Sequence, residues 1–215
     1  MDKIINENGS GIFIQIGAGA GDLDKRANFK DGFTQFIKQL PMIKIKKIIL
    51  VEPNPVNIPL LEECWNEYDQ AVIYQIGICP KTWDKKLIDF YYCPLDGPHY
   101  QVASIKKEHI LKHYGDNCPV ESISIQVENI QSFLNSVSEN DEIELLALDI
   151  EGIDAQIILD IDFENINIKY LSFEYIHMGT DLEIVKHYLN KNNFEYVGVG
   201  ADHNGFDHLY KKIKI

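Results

Sequence analysis

The stretch Gly11–Asp22, GIFIQIGAGAGD, limits what this chain can fold into more than any other. Ile12-Phe13-Ile14-Gln15-Ile16 is a short apolar, β-branched run of the kind that forms a parallel strand buried on both faces. Gly17-Ala18-Gly19-Ala20-Gly21 then places glycine at every second position, and Asp22 closes the turn. Such a turn can take positive φ and lets a ligand approach the main chain where a Cβ would collide. A strand feeding a glycine turn is how doubly wound α/β domains hold nucleotide-type cofactors. The spacing is G-x-G-x-G, not the G-x-G-x-x-G of the dinucleotide fingerprint, and that difference points to S-adenosylmethionine over NAD.

A length of 215 residues fits one domain (1–215) with room for a full core. The formal charge of −13 argues against a phosphate-backbone binder, so no nucleic-acid partner is expected. Lys44-Ile45-Lys46-Lys47 is a short basic run that reads as a solvated connection. No early apolar segment has the length of a signal peptide or membrane helix, so no membrane partner is expected. Cys64, Cys79, Cys93 and Cys118 show no C-x-x-C spacing, which indicates neither a zinc knuckle nor a disulfide framework and makes a cytoplasmic location the default.

Apolar periodicity lays out the rest. Met1–Ser10 reads as a loose lead-in. Leu23–Leu40 carries Phe29, Phe33, Phe36, Ile37 and Leu40 at helical spacing, ended by Pro41. Lys47–Val51 is a second strand finishing on Glu52-Pro53-Asn54-Pro55, farther from the glycine turn than the ~20 residues of a compact dinucleotide unit. Asn57–Tyr68 reads as a helix and Ala71–Ile76 as a third strand ended at Gly77. Between 80 and 122 the pattern suggests an extra strand at Leu87–Cys93, a turn at Asp96-Gly97-Pro98 and a short helix at Ile105–His113. A connection of that length reads as a substrate-recognition or lid insertion. Ile123–Val127 alternates as an edge or connecting strand, and Ile130–Val137 is helical. Glu144–Leu148 is a buried strand running into Asp149-Ile150-Glu151-Gly152. Helix 154–159, strand 170–175 and helix 182–190 follow. Phe194–Val199 and Leu209–Ile213, joined through Asp202-His203-Asn204-Gly205, form a terminal hairpin. The expected fold is α/β and Rossmann-like: a mostly parallel sheet with helices on both faces and one antiparallel strand from the hairpin.

Four segments carry a family resemblance. Phe13–Gly19, Leu50–Pro55, Leu148–Asp154 (LDIEGID) and Phe173-Glu174-Tyr175 occur in the order seen in FkbM-type methyltransferases, and the likeness spans nearly the whole chain. The D-x-E-G element at Asp149–Gly152 is the most diagnostic piece. The third strand departs from the pattern, ending Gln75-Ile76-Gly77-Ile78 where the family more often has alanine. The resemblance implies a class I methyltransferase that uses S-adenosylmethionine to methylate a hydroxyl, commonly on a sugar or glycosylated product. Its acceptor would be a small molecule or a glycan.

On this reading Gly17, Ala18, Gly19, Gly21 and Asp22 carry the carboxypropyl end of the donor, and Glu52, beside Pro53, accepts from its ribose hydroxyls. Gly77 and Ile78 are expected near the adenine, and Asp149 near both donor and acceptor. The plainer readings are a ligand-free tight turn and a surface carboxylate capping the next helix. Asp149, Glu151, Glu174 and His177 end neighbouring strands at the edge where open α/β sheets bind ligands, and are the expected catalytic groups. In-line methyl transfer needs alignment and removal of the hydroxyl proton, which a carboxylate or His177 can take. Asp149 and Glu174, with Glu151 and His177, are also a possible Mg²⁺ site. Tyr91, Tyr92, His99, Tyr100, Ser104, His109 and His113 offer carbohydrate-type contacts or, more plainly, lid packing. Ser104 and Asp154 are expected on the acceptor side, Ser104 because Gln101-Val102-Ala103-Ser104 resembles a serine-bearing family segment. An NAD-dependent oxidoreductase and a non-catalytic Rossmann-like interaction module are the competing classes.

Overall fold

The computed structural model describes residues 10–23, 30–96, 102–139, 141–200 and 205–213. The lead-in, Phe29, the Gly97-Pro98 turn, His99, Tyr100, Gln101 and the 202–204 turn lie outside them.

A seven-stranded sheet is built around β1 (Gly11–Ile16), all six residues of which are buried. β1 lies between β2 (Ile45–Val51) and β8 (Ile143–Leu148), parallel to both. The sheet continues through β3 (Ala71–Tyr74) on one side. On the other it runs through β9 (Ile168–Glu174), β11 (Asp207–Lys212) and β10 (Phe194–Val199), in the order β10-β11-β9-β8-β1-β2-β3. Only β11 runs against its neighbours, as the terminal Asn-Gly hairpin implied.

Two helix layers explain why β1 is apolar throughout. Ile12, Ile14 and Ile16 pack into one core with Phe133, Ile157 and Val185, which come from α4 (Ile130–Ser138), α5 (Asp154–Asp160) and α6 (Asp181–Lys191). Phe13 packs into the other with Phe33, Phe36 and Leu61 from α1 (Gly32–Lys38) and α2 (Ile58–Cys64). A strand covered on both faces cannot alternate apolar with polar.

Two expectations are corrected. The helix expected from Leu23 begins at Gly32, because the Asp31 carboxylate accepts the Thr34 amide at 2.6 Å and fixes the N-terminus there. The third strand stops at Tyr74, and Gly77–Cys79 (β4) belongs to a second, four-stranded sheet. That sheet joins β4 to β7 (Glu121–Asn129), β5 (Leu87–Tyr92) and β6 (Ala103–Ser104). Residues 121–126 pair with β5 and 127–129 with β4, so the 123–127 segment is the connecting strand of the two alternatives. Residues 80–122 supply β5, β6 and α3 (Lys107–Tyr114).

Candidate active site

Register alone assembles the first part of the site. Ile16 stands opposite both Val51 and Leu148, and Leu148 stands opposite Phe173. The residues that follow each of these, Gly17, Glu52, Asp149 and Glu174, therefore emerge side by side at the carboxyl edge of the sheet. They line one cleft of ≈ 280 Å³ whose opposite wall comes from the second sheet, through Phe90, Ala103, Ser104 and Ile125.

The three turn glycines have different reasons to be glycine. All have positive φ. A Cβ on Gly17 would lie 1.8 Å from the Asp149 carbonyl oxygen, and one on Gly21 would lie 2.8 Å from Cys64 Sγ. Those two serve close packing. A Cβ on Gly19 would meet nothing within 4 Å, so this residue faces the open cleft. The Gly17 and Ala18 amides both donate to the Val51 carbonyl, at 2.9 and 3.0 Å, tying the turn to β2.

Glu52 is buried and so is no surface carboxylate, although it holds the approach to α2. Its Oε2 accepts the Gly19 amide at 2.8 Å, and its Oε1 accepts the Asn54 amide at 2.8 Å and Asn57 Nδ2 at 3.2 Å. Burial pushes its carboxyl above the usual range while these hydrogen bonds hold it down. A carboxylate has about four acceptor positions, so three donors leave room for one more. Pro53, Gly77 and Ile78 also line the cleft. Asp22 does not: its Oδ2 accepts from Gln35 Nε2 at 2.5 Å and lies 3.9 Å from Lys38 Nζ, against α1. Asp31, unremarked in the sequence, does line it, with Oδ1 accepting from Gln15 Nε2 at 2.9 Å.

Asp149 is exposed at the floor of the cleft. Loss of bulk water within the cleft, and then the charges of Glu151 and Glu174, hold its carboxyl well above the usual range. Beyond it the chain turns sharply. Glu151 takes φ +43° and Gly152 φ +90°, a left-handed pair that is uncommon for a non-glycine residue. Three contacts hold that turn. Ser104 donates its hydroxyl to the Glu151 carbonyl at 2.8 Å, and Lys106 Nζ donates to the Gly152 carbonyl at 3.3 Å. The His109 ring occupies the space a Gly152 side chain would need, with Nδ1 2.5 Å from an ideal Cβ.

Asp154 is corrected from an acceptor contact to a structural one. It is buried, its Oδ1 accepts the Ile150 amide at 3.1 Å, and burial pushes its carboxyl up to about 7.

Among the described residues the groups that converge at ligand spacing are only partly those expected: Glu151 and His177 are joined by His109. His109, Glu151 and His177 bring one ligand atom each within 4.8 Å of one another, and Asp149 and Glu174 are not part of the set. His109 Nε2 lies 2.9 Å from Glu151 Oε2, and the two imidazoles meet edge to face with centroids 4.9 Å apart. His177 Nε2 is 3.8 Å from Glu174 Oε2, but burial lowers the His177 pKa, so at neutral pH the contact is not an ion pair. Two imidazoles and one carboxylate do not form the all-oxygen shell that Mg²⁺ prefers. In sequence His109 was only one of several residues in the insertion; its meeting with Glu151 depends on the second sheet.

A seven-stranded sheet with a single reversed strand, a glycine turn and acidic strand ends in one cleft is the arrangement of a class I methyltransferase. Residues 15–196 match the model of the methyltransferase FkbM domain. The chain belongs to that family and is an S-adenosylmethionine-dependent methyltransferase. Among solved structures it is similar to an rRNA methylase from Streptococcus thermophilus (TM-score 0.47, 11% identity, 99% of this chain and 93% of that one). It is also similar to the precorrin-6y C5,15-methyltransferase from Geobacter metallireducens (0.47, 9%, 98% and 84%). Fibrillarin from Aeropyrum pernix, with natively bound S-adenosyl-L-methionine, is a third (0.46, 9%, 95%), and the chain spans 66% of its length. The chain likewise spans 66% of a Methanococcus jannaschii fibrillarin pre-rRNA processing protein. No curated protein matches. Among the described residues no helix is long and apolar enough to cross a membrane.

Proposed function

We propose that the chain methylates a hydroxyl of a sugar or a sugar-bearing small molecule, with donor and acceptor meeting over the cleft floor. The observation that carries this reading is the row Gly17, Glu52, Asp149 and Glu174 at one sheet edge.

Donor binding falls to the first half of that row. Gly19 faces the cleft without a side chain, Glu52 keeps an acceptor position for a ribose hydroxyl, and Asp31 offers a carboxylate beside the turn to a cationic group. Gly77 and Ile78 form the apolar side suited to adenine. S-adenosylmethionine, when bound, supplies a methyl carbon held by a positively charged sulfur.

The chain's own work is to align the acceptor oxygen and take its proton. Asp149 is the proposed proton acceptor. Its carboxyl faces the cleft, and its raised pKa moves it toward the operating pH at which a general base is most effective. Glu151 and Glu174 accept from neighbouring hydroxyls of the acceptor, and His177 stands behind them. Residues 80–122 act as the recognition insertion, since Phe90 and Ser104 form the wall the acceptor must pass. The charge of −13 opposes an RNA acceptor, and a reducing cytoplasmic setting suits four free cysteines.

Thermal unfolding with S-adenosylhomocysteine, alone and with candidate sugars, tests the reading. A hundredfold excess over Kd adds about 2.7 kcal/mol, or roughly 5–10 °C for a chain of this length. A further rise, or turnover, with a sugar-bearing compound supports the acceptor class. Turnover confined to RNA or protein would overturn it.

A further inference from the structure

We propose that His109, Glu151 and His177 form a binding site for a divalent transition metal of the Zn²⁺ type. Existence of the site does not depend on the methyl-transfer reading; its use in turnover does.

The ligand set decides the class of ion. Two imidazole nitrogens and one carboxylate oxygen suit Zn²⁺ and its borderline neighbours, and three protein ligands leave a position open to substrate or water. The three side chains are enclosed, with relative exposures of 7% for His109, 22% for Glu151 and 24% for His177. Their ligand atoms already lie within 4.8 Å of one another. A tetrahedral ion with bonds of about 2.0–2.2 Å needs them roughly 3.3 Å apart, a contraction that side-chain rotation supplies. His109 Nε2 and Glu151 Oε2 now lie 2.9 Å apart, and an ion between them would replace that contact.

The backbone is arranged to hold the carboxylate there. Glu151 adopts φ +43°, Ser104 fixes its carbonyl, and the missing side chain of Gly152 lets His109 sit directly against the turn. These contacts come from three separate parts of the chain, the 104–109 segment, the end of β8 and the end of β9. Glu151 belongs to both the triad and the cleft wall, so an ion at the triad borders the acceptor side of the cleft. With both imidazoles so engaged, Asp149 remains the proton acceptor.

The test is calorimetric titration of the chelator-treated full chain with Zn²⁺, and with Co²⁺ read by its visible absorption. One equivalent should bind, without a thiolate charge-transfer band. H109Q and H177Q should each weaken binding at least about a hundredfold, beyond the loss typical of an outer-shell change. C93S/C118S should leave it intact. Retained stabilisation by S-adenosylhomocysteine shows that each variant is folded and separates failure of the metal site from failure of the methyltransferase reading. H177Q, at a partly exposed position, serves if H109Q does not fold. No stoichiometric binding, or binding that survives both histidine variants or is lost in the cysteine variant, overturns the proposal.

Discussion

The Gly19 amide donates to Glu52 Oε2 across 2.8 Å and so ties the glycine turn after β1 to the acidic end of β2. Two motifs 33 residues apart thus form one rigid unit. The same carboxylate gathers Asn54 and Asn57, so the entry to α2 is set by the group proposed to meet the ribose.

Replacing Glu52 should therefore act twice. Glu52→Ala leaves three donors without their acceptor and should cost roughly 2–4 kcal/mol of stability. Glu52→Gln keeps the shape and one carbonyl oxygen, and isolates binding. Its Kd for S-adenosylhomocysteine should rise at least tenfold, about 1.4 kcal/mol. An unchanged Kd in folded Glu52→Gln removes the ribose role.

Gly17 and Gly19 should separate fold from ligand. Gly17→Ala drives a Cβ into the Asp149 carbonyl, where no flexible side chain can yield, and should cost more than about 3 kcal/mol in urea unfolding. Gly19→Ala meets open space and should cost only the left-handed backbone penalty of about 1–2 kcal/mol. Its Cβ then projects into the cleft, and affinity for S-adenosylhomocysteine should fall at least tenfold. The reverse ranking of stabilities would show that the turn relaxes.

The parts of this site legible in the sequence are those that parallel pairing builds for itself. Gly17, Glu52, Asp149 and Glu174 each follow an apolar run, and once the runs pair in parallel the residues after them must align. What escaped notice depends on contacts the sequence does not encode locally. Asp31 falls inside the helical spacing of Leu23–Leu40, and only its cap to Thr34 and its hydrogen bond with Gln15 place it in the cleft wall. The break between β3 and β4 lies within one apolar stretch, Ala71 to Cys79, whose pattern does not register a change of sheet. His109 reaches Glu151 only because the insertion folds as a sheet against the cleft.

Cys93 and Cys118 are free thiols whose sulfurs lie 2.8 Å apart, 25 positions apart in sequence. Burial, then the neighbouring Cys93, push the Cys118 thiol up to about 11, so thiolate is scarce at neutral pH and oxidation to the disulfide is slow there. Added oxidant at alkaline pH should link the pair and raise stability by about 3.5 kcal/mol on loop entropy. Cys118→Ser should prevent both. Intact-mass analysis without reductant reads the link, and its absence would mean that the two segments do not stay in contact.

Asp154 should make stability fall with rising pH. Its carboxyl is raised to about 7 from a usual value of 3.8, so between those limits the folded chain keeps a proton that the unfolded chain releases. The contribution is complete below about pH 4 and is lost as pH climbs through 7. Asp31 and Glu52, raised chiefly by burial, act in the same direction. Asp154→Asn keeps an oxygen for the Ile150 amide but has no proton to lose. Urea unfolding should therefore show the parent losing about 2–3 kcal/mol more than Asp154→Asn between pH 5 and pH 8. Equal losses in the two proteins would mean that Asp154 is already ionised in the fold at pH 5.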